Sequence, residues 1–116
     1  MIQFYQYPKC STCIQARKYL EKNKIQFDSI DITLNPPSKK QLEQMLEYCG
    51  GDVKKLFNTS GVQYRELKIS DKIKSMSKKE AIDLLSQNGK LIKRPFLLGK
   101  NFGVVGFKAE QWDSQF

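Results

Sequence analysis

Two cysteines stand three positions apart in the stretch Tyr7-Pro8-Lys9-Cys10-Ser11-Thr12-Cys13, and this stretch decides the fold class of the chain. The apolar segment 2–7 before it predicts a strand, and residues 12–23 after it, which contain no Gly or Pro, predict a helix. A C-x-x-C motif at such a strand-to-helix junction indicates a redox-active pair of cysteines.

The position of Cys10 at the predicted helix start favours a reactive thiolate. Unpaired helix N–H groups and the positive end of the helix dipole stabilise a negative charge there. Thiols in C-x-x-C motifs accordingly have pKa values of about 3.5–7.5 instead of about 8.5. Cys10 and Cys13 would lie on one helix face with Cβ atoms about 5–6 Å apart. A disulfide needs a Cβ separation of about 3.5–4.5 Å, so a small adjustment would let the pair oxidise.

Two other roles for the motif are disfavoured. C-x-x-C also forms half of a zinc site, but a structural zinc ion needs four N or S ligands. The chain has 3 Cys and no His, so a monomer cannot complete such a site and we predict no metal. A purely structural disulfide fits poorly with the strand-to-helix context. Cys49 continues the apolar stripe of Leu42, Met45 and Leu46, which predicts a small hydrophobic residue of the core.

Length and composition predict one soluble domain over residues 1–116. Hydrophobic residues make up 40% and charged residues 28% of the chain, which is typical of a globular protein. No apolar run approaches the roughly 18 residues that span a bilayer, so no membrane contact is expected. The N-terminus lacks a secretory signal, and the odd number of cysteines suits a reducing compartment, so we predict a cytoplasmic protein.

The formal net charge of +8 raises the question of a polyanionic partner. The lysines and arginines are scattered and alternate with Glu and Gln, which is typical of solvated helix faces. No basic strand is rich in the aromatic residues that stack on bases. We therefore do not predict direct binding to nucleic acid.

The remainder of the chain predicts a mixed sheet with helices on its faces. A second strand near 27–32 follows the first helix, and this strand–helix–strand unit implies two parallel neighbouring strands. A helical insertion at about 38–90 comes next. Its two main helices begin at capping boxes, at Ser38 and Ser77, with shorter helical turns predicted between them.

A hairpin and a short helix complete the predicted fold. Residues 96–98 and 102–105 flank Gly99-Lys100-Asn101, which predicts an antiparallel pair with a three-residue turn. Residues 107–112 predict a last short helix. If both halves share one four-stranded sheet, the hairpin lies beside the first strand. The segment Lys93-Arg94-Pro95 would then lie near Cys10.

Further motifs make the sequence recognisable, and together with residues 7–13 they cover nearly the whole chain: Pro36-Pro37-Ser38, Leu56-Phe57-Asn58-Thr59-Ser60-Gly61, Tyr64-Arg65-Glu66-Leu67, Leu91-Ile92-Lys93-Arg94-Pro95 and Val105-Gly106-Phe107. With these motifs the chain resembles the ArsC/Spx family of thioredoxin-like proteins, and within it the YusI-like branch of Firmicutes. The resemblance implies a thioredoxin/glutaredoxin-like α/β fold with an ArsC-like helical insertion. It also implies a nucleophilic Cys10, an Arg94 beside it and a cis Pro95.

The resemblance to arsenate reductases of this family is incomplete. Those enzymes typically have one active-site cysteine and three arginines around the oxyanion. Here only Arg94 matches, Asn58 stands at the position of the second arginine, and the segment 105–107 offers no third. Cys13 is an additional thiol that the Spx-like and YusI-like branches share. We therefore expect arsenate reduction to be absent or very weak.

The residues and the resemblance together predict a thiol-dependent oxidoreductase. Cys10, Cys13 and Arg94 are the predicted catalytic residues. Cationic neighbours must help to activate Cys10 because the chain has no His. The supporting residues are expected to be Lys9, Ser11, Thr12, Asn58 and Pro95.

The substrate would be a small-molecule or protein disulfide, and the chain would hold no bound cofactor. Its co-substrate would be a thiol reductant, namely glutathione, bacillithiol or a thioredoxin or glutaredoxin system. The alternative is a regulator of the Spx kind, in which the same cysteine pair is a redox switch for contact with RNA polymerase.

Overall fold

A computed structural model describes residues 2–116 of the chain. Single turns of 3₁₀ helix lie at Val53–Leu56 and Gly89–Leu91. The longer elements are β1 (Ile2–Gln6), α1 (Ser11–Lys22), β2 (Phe27–Asp31), α2 (Lys39–Tyr48), α3 (Val62–Glu66), α4 (Ile69–Lys72), α5 (Lys78–Gln87), β3 (Phe96–Leu98), β4 (Gly103–Val105) and α6 (Ala109–Asp113).

The four strands form one mixed sheet in the order β2-β1-β3-β4. β1 pairs in parallel with β2, and it pairs antiparallel with β3, with Phe4 opposite Leu97. β3 in turn pairs antiparallel with β4. The predicted mixed sheet, with the hairpin beside the first strand, is therefore confirmed.

Alternation along the strands gives the sheet two apolar faces, since successive side chains of a strand point to opposite sides. On one face Phe4 and Leu97 pack with Leu20 of α1 and Trp112 of α6. On the other face lie Tyr5, Phe96 and Leu98, together with buried residues of α2 and α5 (Leu42, Met45, Leu46, Ala81, Ile82 and Leu85). The helical insertion thus covers one face, and the two helices nearest the chain ends cover the other.

The two long helices of the insertion begin where the capping boxes predict. Ser38 Oγ accepts a hydrogen bond from the N–H of Gln41, and Ser77 Oγ accepts one from the N–H of Glu80. In each case the residue at the third helical position also accepts from the backbone N–H of the serine. The short helix α4 was not predicted, because only one of its residues, Ile69, is buried.

The hairpin loop is one residue longer than the sequence predicts. Gly99 donates its N–H to the carbonyl of Phe102 at 2.9 Å, so Gly99–Phe102 form a four-residue loop and β4 begins at Gly103. The Phe102 ring packs with the cluster around Trp112. This contact holds Phe102 in the loop instead of in the strand.

Gly89 permits a close approach of the insertion to the end of β2. A Cβ atom at this position would lie 1.8 Å from the carbonyl oxygen of Ile32. Both residues are buried, with Ile32 0% exposed. Only a residue without a side chain allows the 3₁₀ turn to pack there.

We expect Gly89→Ala to lower the free energy of unfolding by about 1–3 kcal/mol, the usual cost of overpacking. The added methyl group would have to displace backbone instead of a flexible side chain. Chemical denaturation followed by circular dichroism measures the change. The neighbouring exposed substitution Lys90→Ala is the control and should stay within about 0.5 kcal/mol of the wild type. Equal stability of the two variants would contradict this account of the packing.

Candidate active site

Cys10 occupies the N-cap position of α1 and has an extended backbone conformation, with φ −86° and ψ 120°. Its own N–H donates to the carbonyl of Tyr7 at 3.0 Å, which closes the turn between β1 and the helix. The N–H groups of Thr12 and Cys13, in the first turn of α1, are the backbone groups that lower the pKa of the Cys10 thiol. The strand-to-helix junction therefore presents the half-buried Cys10 thiol to unpaired backbone donors, as the sequence predicts.

The environment of Cys10 lowers the pKa of its thiol below the ordinary value. Partial burial is the largest influence and by itself would raise this pKa. Hydrogen bonds from the backbone and the thiol of Cys13, the positive charge of Arg94 and the Thr12 N–H together outweigh burial. The thiolate is thus the favoured form over a wider pH range than for a free cysteine.

Cys13 has the opposite environment. It is only 1% exposed, and burial, as the largest cause, raises the pKa of its thiol to about 12. The hydrogen bond to Cys10 and the negative charge of the Cys10 thiolate raise the pKa further. The Tyr7 N–H, 3.5 Å from the Cys13 sulfur, and the charge of Arg94 act in the other direction. The pair therefore consists of one thiol whose pKa is lowered and one whose pKa is raised.

Arg94 lies at the site because β3 runs beside β1. Its side chain is half-buried, and the guanidinium carbon lies 5.0 Å from the centroid of the Tyr7 ring, in a cation–π contact. The Arg94–Pro95 peptide bond is cis, as the resemblance implies. The carbonyl of Pro95 accepts the N–H of Gly106 at 2.8 Å, which ties the segment to the end of β4.

A short antiparallel contact brings Asn58 to the same place. Phe57 and Ile92 form an isolated β-bridge. Around the bridge, Asn58 donates its N–H to the carbonyl of Leu91 at 2.8 Å, and Lys93 donates to Leu56 at 2.7 Å. The helical insertion is thereby attached to the chain just before Arg94. Sequence pattern alone does not reveal a two-residue bridge of this kind.

An open groove of about 1160 Å³ passes over these residues. Cys10, Thr12, Asn58 and Arg94 line it together. Four other predicted site residues do not line the groove: Lys9 and Ser11 are exposed beside the turn, and Cys13 and Pro95 are buried. The roles proposed for these residues from the sequence remain predictions.

Cys49 also lines the groove, where the sequence predicts a residue of the core. It is half-buried at the C-terminal end of α2 and packs partly against the core. Burial raises the pKa of its thiol, the nearby Asp52 carboxylate adds to this, and Lys55 opposes it. The apolar stripe of α2 gives no sign that its last turn opens onto the groove.

The site contains no obvious place for a metal ion. Among residues 2–116, no group of three or more His, Cys, Asp or Glu side chains is arranged to hold one.

Over the same part of the chain, no helix has the length and apolar character that crossing a membrane requires.

We expect iodoacetamide to alkylate Cys10 well before Cys13 and Cys49 at neutral pH. The pKa of Cys10 is lowered, whereas burial raises the pKa of both other thiols. Because the thiolate is the reacting form, the Cys10 rate should persist above its lowered pKa and fall only as the pH drops through it. Peptide mass mapping over a pH series measures the rate of each cysteine. Faster reaction of either other cysteine would contradict the assignment.

We also expect Arg94→Gln to shift the alkylation profile of Cys10 to higher pH, because the variant removes a charge that lowers this pKa. Lys9→Gln removes an exposed neighbouring charge and is the matched control. It should leave the profile unchanged, since no influence of Lys9 on the Cys10 pKa is found. An equal shift in both variants would mean that general electrostatics, and not Arg94, sets the pKa.

Solved structures of similar proteins share this fold over almost their full length. An ArsC family related protein from Bacteroides fragilis has a TM-score of 0.94 and 44% sequence identity, with 99% of this chain and 97% of that chain covered. A protein described as a possible arsenate reductase, from Streptococcus mutans UA159, has a TM-score of 0.92 and 43% identity, covering 100% of this chain and 98% of that one. The ArsC-like thioredoxin fold predicted from the sequence is therefore confirmed.

Sequence comparisons agree with the structural ones. The chain is 45% identical to the uncharacterized protein YusI of Bacillus subtilis (strain 168), covering 97% of this chain and 95% of YusI. It is 27% identical to the global transcriptional regulator Spx of Streptococcus agalactiae, covering 96% of this chain and 80% of Spx. A family model described as the ArsC family matches residues 5–115. The chain therefore belongs to the ArsC family.

Proposed function

We propose that this protein is a thiol-disulfide oxidoreductase in which Cys10 is the nucleophile and Cys13 the resolving thiol. The Cys10 thiolate attacks one sulfur of a substrate disulfide, forms a mixed disulfide and releases the other sulfur as a thiolate. The Cys13 thiolate then attacks the Cys10 sulfur, forms the Cys10–Cys13 disulfide and releases the second substrate thiolate. The released thiolates take up protons, one of them the proton that Cys13 loses. The substrate gains two electrons and the cysteine pair loses two.

The observation that supports this proposal is the opposite tuning of two neighbouring thiols. Cys10 is half-buried in a groove, and its pKa is lowered despite the burial. Cys13 is 1% exposed and protonated, with a pKa of about 12. The accessible Cys10 thiolate is suited to attack an incoming substrate. The buried, protonated Cys13 thiol is suited to react only after the mixed disulfide has formed.

Formation of the mixed disulfide would itself make Cys13 more acidic. Two of the causes that raise the Cys13 pKa are its hydrogen bond to the Cys10 sulfur and the charge of the Cys10 thiolate. Both disappear once Cys10 is bonded to the substrate sulfur. The Tyr7 N–H and the charge of Arg94 remain to stabilise a Cys13 thiolate. The second step is thus favoured only after the first has occurred.

Return of the oxidised pair to the dithiol requires an external thiol reductant. Glutathione, bacillithiol or a thioredoxin or glutaredoxin system belongs to the right chemical class. Arg94 is proposed to stabilise the Cys10 thiolate in each cycle, with the Thr12 N–H as a further donor. Asn58 is proposed as a polar group on the opposite wall of the groove, while Lys9, Ser11 and Pro95 shape the turns around the site.

Mild oxidation should produce an intramolecular Cys10–Cys13 disulfide and leave Cys49 as a free thiol. Cys13→Ser should accumulate a mixed disulfide with a peptide disulfide substrate, because the resolving thiol is missing. Cys49→Ser removes a different groove thiol and is the matched control, which should not accumulate that species. Mass spectrometry of the reaction products measures both. A dominant Cys10–Cys49 disulfide would contradict the proposed mechanism.

We expect turnover of arsenate to be absent or very weak. An oxyanion bound at the thiolate needs several fixed donors to offset the loss of its hydration. Arg94 supplies the only guanidinium that lines the groove among residues 2–116. A steady-state assay with arsenate, NADPH and glutaredoxin or thioredoxin measures turnover. Robust activity, abolished by Cys10→Ser and Arg94→Ala, would show that a single arginine suffices.

A second candidate function is a redox-switched regulator that contacts RNA polymerase. It is supported by the 27% identity to Spx, a global transcriptional regulator, over 96% of this chain. In that role the Cys10–Cys13 disulfide would control binding instead of completing a catalytic cycle. Capture of RNA polymerase by the oxidised but not the reduced protein, without disulfide turnover, would favour this function over the oxidoreductase.

A further inference from the structure

The groove that contains Cys10 is strongly basic outside the catalytic pair. Five cationic side chains line it and only one carboxylate does. The carboxylate is Asp52, whose oxygen already accepts the N–H of Lys54 at 3.1 Å as a helix cap. The cations are Lys54, Lys55, Lys93, Arg94 and Lys108.

None of these five cations forms an ion pair with a carboxylate among residues 2–116, and Arg94 alone acts on the Cys10 thiol. The ion pairs found among residues 2–116 are Arg17–Glu21 and Lys39–Asp83, and both involve residues that do not line the groove. The positive charge of the groove therefore faces solvent. A cleft lined by one sign of charge concentrates ligands of the opposite sign and accelerates their association.

The cations come from separate parts of the fold. Lys54 and Lys55 project from the 3₁₀ turn after α2, Lys93 and Arg94 precede β3, and Lys108 follows β4. The positive surface therefore extends along the groove from the helical insertion to the hairpin. A positive surface of this length can bind a ligand that carries several anionic groups along its length.

The size of the groove also indicates an extended ligand. Its volume of about 1160 Å³ lies just above the range of about 300–1,000 Å³ that is usual for small-molecule sites, which leaves room for a ligand larger than a typical small molecule. Two apolar side chains of its lining are well exposed, Tyr48 at 46% and Val62 at 58%. Apolar groups beside a basic groove suit the mixed surface of a polypeptide.

We propose that the groove binds an acidic polypeptide segment, and that this segment carries the disulfide attacked by Cys10. This inference rests on the proposed oxidoreductase function and assigns its substrate class. Lys54, Lys55, Lys93 and Lys108 select the segment by charge, and Tyr48 and Val62 contact its apolar side chains. A nucleic acid fits the charge but offers no disulfide, and Tyr48 is the only well-exposed aromatic side chain of the lining available for base stacking.

Two synthetic peptides with the same internal disulfide test the proposal, one flanked by glutamates and the other by lysines. We expect the wild-type protein to reduce the acidic peptide at least about tenfold faster at low ionic strength, because steering by a charged cleft has this magnitude. The difference should shrink as salt is added, since the screening length is only about 10 Å at 0.1 M. Equal rates for the two peptides would overturn the proposal.

A charge-reversal pair locates the effect in the groove. Lys54→Glu with Lys55→Glu should remove most of the preference for the acidic peptide. Lys72→Glu with Lys74→Glu makes the same change in net charge at exposed positions that do not line the groove, and should keep the preference. Loss of the preference in both double variants would mean that overall charge acts instead of the groove, which would overturn the proposal.

Further measurements separate the proposal from its competitors. Binding of the acidic peptide with serines in place of its cysteines, followed by fluorescence anisotropy, should weaken in the Lys54/Lys55 variant. Glutathione disulfide, if reduced as fast as the acidic peptide and with the same dependence on these lysines, would overturn the polypeptide assignment. Tighter binding of a single-stranded oligonucleotide than of the serine peptide would overturn it in favour of nucleic acid.

Failure of the proposed function has a distinct signature. If Cys10 reacts with neither peptide nor a small aromatic disulfide, the oxidoreductase proposal fails, and the substrate assignment fails with it. If Cys10 reacts readily with the small disulfide but shows no charge preference between the peptides, the oxidoreductase proposal stands. The polypeptide inference alone is then overturned.

Discussion

The antiparallel pairing of β3 with β1 is the constraint on which the site depends. Cys10 lies four residues after the end of β1 and Arg94 two residues before β3, so the register that places Tyr5 opposite Phe96 also brings these two residues together. The register is held by burial on both faces, because a slip of one residue would turn every apolar side chain to the wrong side. Core packing therefore determines the position of Arg94, whose charge lowers the pKa of Cys10.

Cys10 and Cys13 lie within one helix turn but differ in burial and in the charges around them. Full burial would raise the pKa of both thiols, and no thiolate would be present at neutral pH. Full exposure would let water hydrate the thiolate, and the N–H groups at the helix start would then have less effect on its pKa. Cys10 at the N-cap stays half-buried and Cys13, within the first turn, is enclosed. Three positions along the chain thus separate a thiol with a lowered pKa from a thiol with a raised pKa.

Local signals in the sequence predict much of this fold, and tertiary contacts account for the rest. The C-x-x-C junction and the capping boxes at Ser38 and Ser77 depend on contacts between residues a few positions apart. The helix starts at these positions can therefore be predicted from the sequence. Cys49 and the groove lysines behave differently, because whether a helix end faces solvent, core or groove depends on distant elements. Lys54 and Lys55 have the local pattern of an ordinary solvated surface, and only the tertiary fold places them in the same groove as Arg94.

The β-bridge between Phe57 and Ile92 attaches the helical insertion to the part of the fold that carries Cys10, Cys13 and Arg94. Because it fixes Asn58 and the preceding 3₁₀ turn beside Lys93, the insertion forms one wall of the groove while β1, α1 and the hairpin supply the thiol chemistry. The cations of the groove thus come from both parts of the fold, Lys54 and Lys55 from the insertion and Lys93, Arg94 and Lys108 from the segments that flank the hairpin. Changes at Lys54 and Lys55 would alter the charge of the groove without removing any group that lowers the Cys10 pKa, because those groups are Thr12, Cys13 and Arg94.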